Sequence, residues 1–330
     1  MSHGPIVIKP IAEVAQFMKN LVPANIPENY AIKPMFESIA SEEDIKKSII
    51  AFRDFLYLLF DRLATHGHLY AKPPKKPRSM NDYPFLHCIT NMLVDIGYYG
   101  ELSEPTSAKI PAAAQKECLE FLALCGFPGS PAVMLGLKVM SIADMELRSS
   151  RRYWNDNHLL MCDYRLIKAE ETDTLDVLND FLHPLPQEIK NFAVNLHKRY
   201  INKGMTCATT VERQYSISYA TINSKRVLSP QDVYSKRMWE FSYSMRNGYC
   251  LFVRAKKTDK YADAIEKFPL YLQEKIAAGY GCDRKLRNER CQMGCQGIRL
   301  PLDETILDIA EDIETWLDCE IGGKSNAGIT

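Results

Sequence analysis

The chain has 330 residues, 46% hydrophobic and 25% charged, the composition of a soluble globular protein long enough for two domains. Lys+Arg and Asp+Glu both total 41. That balance excludes a net field drawing the whole chain to nucleic acid or an acidic membrane.

The most apolar run, residues 49–63, is broken by Arg53, Asp54 and Asp61, so no transmembrane helix and no membrane partner are expected. Met1-Ser2-His3-Gly4-Pro5 lacks the pattern of a signal peptide. Seven of the ten cysteines (Cys88, Cys118, Cys125, Cys162, Cys207, Cys250, Cys319) sit singly in apolar or strand-like runs, where a thiol behaves as a small core residue. Reduced thiols and a cytoplasmic location are the expectation.

Taken in order, Ile11, Val14, Ala15, Met18 and Leu21 recur at helical spacing. Ser41 followed by Asp44 starts a long helix through Phe52 and Leu63, stopped at Gly67. A Pro- and Lys-rich stretch over 72–78 reads as an extended connector. Pro84 opens a third helix, residues 112–125 form a fourth, and Ser130-Pro131 caps a fifth. His66, His68 and His87 beside Cys88 have no spacing that demands a metal. The helix containing Asn91 and Asp95 carries no Arg or Lys to read DNA.

Residues 148–157 read as an exposed link, and 158–167 as either a strand or a buried turn. Thr172 caps a helix ended by Pro184. Residues 187–203 form an amphipathic helix, after which the period changes to two. Val211, Tyr215, Ile217 and Tyr219 are the inward set of one or two strands. Residues 239–256 form a hairpin with Asn247-Gly248 supplying both positive-φ positions of a type I′ turn. A helical stretch bent at Pro269 and a short strand over 297–302 follow. The closing helix has an apolar face of Ile306, Ile309, Ile313, Trp316 and Leu317.

The expected fold class is α+β. An α-helical domain (1–150) is joined by a connecting segment (151–184) to an α+β domain (185–321) whose antiparallel sheet is packed by helices, with a flexible tail (322–330).

Gly297-Ile298-Arg299-Leu300-Pro301-Leu302-Asp303, followed by a helix bearing Trp316, resembles the closing motif of small bacterial YdhG-type modules. The order helix, β-meander, helix fits the same group over about the last 140 residues. The resemblance implies a YdhG-like domain and suggests a link with iron handling through acidic helix faces. No ligand set carries over residue by residue, and the cysteine loop is a departure from the family.

Cys282, Cys291 and Cys295 are the one cluster with metal-ligand spacing. Zinc is the metal such thiols would take, with a fourth ligand not evident. Oxidation is a second reading, since Arg284, Lys285, Arg287 and Arg290 would depress the thiol pKa values, and simple burial is a third. Tyr215, Tyr219, Trp239, Tyr243 and Arg246 are candidates to line a shallow ligand pocket on the sheet, although half-buried strands favour the same residue types. No phosphate-binding glycine loop, nucleophile elbow or zinc-protease motif occurs. The function expected is a non-catalytic binding or regulatory module for a small ligand or protein partner. Metal handling at the cysteine loop is the alternative. Nucleic-acid binding through the basic stretches 72–78 and 284–290 is less favoured.

Overall fold

A computed structural model describes residues 9–70, 84–101, 112–149, 158–211, 215–222, 229–245, 247–255, 258–279 and 297–322. Helices fill the N-terminal part and one antiparallel sheet lies C-terminal, so the fold is α+β. The chain divides into two compact units, Met1–Asp176 and Val177–Thr330.

The first unit holds α1 (Lys9–Leu21), α2 (Pro34–Glu37), α3 (Glu42–His66), α4 (Pro84–Tyr99), α5 (Ala112–Leu124) and α6 (Pro131–Ser149). Helix α3 starts where expected: Ser41 Oγ accepts the Asp44 N–H, and Lys46–Glu42 and Lys47–Glu43 pairs brace its first turns. Its buried stripe runs Ile45, Ile49, Phe52, Leu56, Leu59 and Leu63. Helix α6 packs against both α3 and α4, at a separation that only glycine permits. A Cβ on Gly136 would meet the Ser48 carbonyl at 2.2 Å, and one on Gly97 would meet Ser141 Oγ at 2.1 Å.

Residues 158–169 are part of this unit. Leu159, Leu160, Cys162 and Ile167 are fully buried, and Ile32 bridges Lys168. An apolar run of this density needs a core; residues 158–176 belong to the first unit and 177–184 to the second. The boundary falls inside α7 (Thr174–Phe181). That helix is capped by Asp173, whose Oδ1 accepts the Leu175 N–H at 2.8 Å, and not by Thr172.

The second unit is a meander of β1 (Thr206–Val211), β2 (Tyr215–Ala220), β3 (Trp239–Ser244), β4 (Gly248–Val253) and β5 (Ile298–Pro301), paired antiparallel in sequence order. Helix α8 (Gln187–Asn202) precedes it, α9 (Pro230–Lys236) lies between β2 and β3, and α10 (Ala262–Ile265) and α11 (Leu270–Gly279) are separated at Pro269. Helix α12 (Ala310–Gly322) closes the unit, burying Ile313, Trp316 and Leu317 as its periodicity predicts.

The β3–β4 hairpin lies where the sequence places it, with a different turn. Ser244 pairs with Gly248, leaving a three-residue connection of 245–247. Gly248 has φ +63° and pairs with Ser244, a register that a two-residue type I′ turn at Asn247-Gly248 does not give. Ser244 Oγ accepts the Asn247 N–H at 3.2 Å, a side-chain contact that holds the longer connection.

Candidate functional site

Strand alternation divides the sheet into two unlike faces. The first carries Tyr215, Ile217 and Tyr219 of β2, Trp239, Phe241 and Tyr243 of β3, and Leu251 and Val253 of β4. All are buried. Tyr219 and Trp239 stack with centroids 3.7 Å apart, and Tyr200 of α8 meets Trp239 edge-on. His197 Nδ1 lies 2.7 Å from Tyr219 Oη. Tyr200 Oη donates to the Glu314 carbonyl and to Asp318, tying α8 to α12. Thus Tyr215, Tyr219, Trp239 and Tyr243, four of the five sequence candidates for a ligand pocket, sit together on one face and form packed core. The fifth, Arg246, lies outside the described residues, as do Cys282, Cys291 and Cys295. Among the described residues no group of three or more His, Cys, Asp or Glu is placed to hold a metal ion.

The opposite face is built from small and charged side chains. Ser216 and Ser218 of β2, Ser242 of β3 and Cys250 of β4 form a floor that is almost wholly buried. At its centre stands Glu240, with no exposed surface, opposite Ser218 on β2 and Phe252 on β4. Ser218 Oγ donates to Glu240 Oε2 at 3.1 Å. A fully buried carboxylate is costly unless charge and hydrogen bonds compensate it.

Three arginines gather around this one carboxylate. Arg237 emerges from the C-terminal end of α9, its side chain only 7% exposed. Its Nε lies 2.6 Å from Glu240 Oε2. That N–H is poorly aligned, so the contact is an ion pair without a proper hydrogen bond. Its Nη1 donates to the Tyr234 carbonyl at 2.6 Å, and its guanidinium stacks 3.6 Å from the centre of the Tyr234 ring. Arg254 follows β4, and Arg299 lies on β5 directly opposite Phe252. Their guanidiniums sit 5.7 and 4.6 Å from the centre of the Phe252 ring. Both are half-buried, and each keeps a buried Nε–H with no acceptor.

A Cβ on Gly297 (φ +71°) would meet Phe252 Cζ at 2.5 Å and the Val253 carbonyl at 2.8 Å, so the ring that carries two arginines is seated by a glycine. Burial, then the neighbouring Arg237, push the Arg254 guanidinium below its ordinary range, with Arg299 adding to them and Glu240 and Tyr234 opposing. Cys250, beside Ser242 Oγ at 3.1 Å, has its thiol pushed up by burial, which leaves it protonated and a poor nucleophile.

The chemistry available is therefore electrostatic: guanidinium forks, hydroxyl donors and one carboxylate that orders them. Sequence reasoning missed Arg237, Glu240, Arg254 and Arg299. The only available signal was charge at the outward positions of apolar strands, as in Trp239-Glu240-Phe241 and Ile298-Arg299-Leu300, which reads equally well as a solvated face. No protein-family model, curated protein or solved structure matches this chain.

Proposed function

We propose that the C-terminal unit is a binding module for a small anionic ligand, and that the protein acts through that binding as a regulatory or sensing component. The observation that carries this reading is the excess of guanidinium over carboxylate on the second sheet face: among the described residues, three arginines, one glutamate and the buried Nε–H groups of Arg254 and Arg299 left without a hydrogen-bond acceptor. Leaving buried donors unsatisfied costs about 1–3 kcal/mol each, more where the group is charged. An anion supplies the missing acceptors and offsets the charge.

The test is a thermal-unfolding panel at fixed ionic strength with small anions, small cations and neutral solutes. A saturable rise in Tm with anions, absent in Arg254→Met and Arg299→Met, is the expected result, because a ligand that binds only the folded state stabilises it by mass action. Equal responses of wild type and both variants to every anion would reject the site.

A further inference from the structure

We infer that the anion is a dianion, the phosphate monoester group of a small molecule. This rests on the anion-binding reading above and goes further, to the charge and shape of the ligand. Among the described residues, three guanidiniums around one carboxylate leave two positive charges, which a carboxylate ligand would only halve and a phosphate monoester, carrying about −1.5 to −2 at neutral pH, would cancel. Two donors also lack acceptors, the Nε–H groups of Arg254 and Arg299, whereas Arg237 Nε is already engaged by Glu240 Oε2 at 2.6 Å. Arginine is the side chain whose planar fork fits phosphate. No bond forms or breaks: the ligand is held by charge-assisted hydrogen bonds alone.

Among the described residues, the groups facing the site that can change charge are Glu240, Tyr234, Cys250 and the three arginines, with no histidine. Any pH dependence near neutrality therefore belongs to the ligand. Calorimetric titration of the full chain at pH 5.5 and 7.5 with phenyl phosphate, benzoate and sulfate uses this. A phosphate monoester has a second pKa of about 6, so its doubly charged fraction rises from about a quarter to nearly all between these values. The expected result is phenyl phosphate affinity rising about fourfold, sulfate affinity unchanged and benzoate much weaker at both pH values. Arg299→Lys, which keeps the charge and loses the fork, should weaken phenyl phosphate about tenfold, equivalent to about 1.4 kcal/mol, with an unchanged circular-dichroism spectrum. Phenyl phosphate binding that stays level with pH, or benzoate bound as tightly, overturns the dianion assignment while leaving the anion site standing. If none of the three anions binds, the proposed function falls with it.

Discussion

Among the described residues each unit holds a buried carboxylate with cationic neighbours, and the two clusters differ in whether they balance. In the first unit Asp163, 6% exposed, accepts from Arg165 Nε at 2.5 Å and lies 3.2 Å from His158 Nδ1. One carboxylate meets one guanidinium and one imidazole. Burial pushes the Asp163 carboxyl up, yet Arg165 and His158 outweigh it and hold the group well below the ordinary carboxylate range. This cluster has its partners within the fold and reads as a structural staple for the turn at residues 158–167. In the second unit Glu240 is equally buried but faces three guanidiniums, and the Nε–H groups of Arg254 and Arg299 have no acceptor. A buried cluster that balances its own charge explains its presence by stability; one that does not points to a partner from outside the chain.

The largest effects should come from removing either carboxylate. Glu240→Gln and Asp163→Asn each leave buried cations uncompensated, and each should cost about 3–5 kcal/mol in denaturant unfolding. If Glu240→Gln costs under about 1 kcal/mol, the carboxylate is not organising the arginines and the contrast is lost. Acid should reveal Asp163 next. Its folded pKa lies below its unfolded value near 3.9, so the unfolded state binds more protons and the contribution, present above about pH 4, is lost as pH falls through the folded pKa. Unfolding free energies measured between pH 5 and pH 2.5 should therefore decline more steeply in wild type than in Asp163→Asn, and parallel slopes would disprove the coupling.

Replacing cations separates the clusters more sharply. Arg165→Met strips a buried carboxylate of its permanent partner and should cost about 3 kcal/mol. Arg299→Met removes a cation already in excess, so the ligand-free protein should change by less than about 0.5 kcal/mol, or gain stability. A cost for Arg299→Met as large as that for Arg165→Met, measured in the same titration, would show that the second cluster is also a closed staple.

The sequence carried much of the fold because its signals are local. Helical spacing in 42–66, alternation through Tyr215, Ile217 and Tyr219, and the apolar stripe of Ile313, Trp316 and Leu317 each state which side faces a core. Local signals were weaker where several conformations compete. Asn247-Gly248 marks the hairpin, but Ser244 Oγ, bonded to the Asn247 N–H, selects a three-residue connection. The apolar run of 158–167 left strand and buried turn open because burial, unlike periodicity, is not written within ten residues.

What the sequence determined by itself, then, is the class of the fold, the position of most elements and the aromatic face of the sheet. These depend on residues within one or two turns of each other, or on a period that any strand must follow. Only the tertiary structure decided that Arg237, Arg254 and Arg299 gather at Glu240. Arg237 and Arg299 are far apart along the chain and meet through the register that sets Glu240 opposite Phe252 and Phe252 opposite Arg299. Charge at an outward strand position looks the same whether water or a buried neighbour lies over it, and pairing between strands is what distinguishes the two.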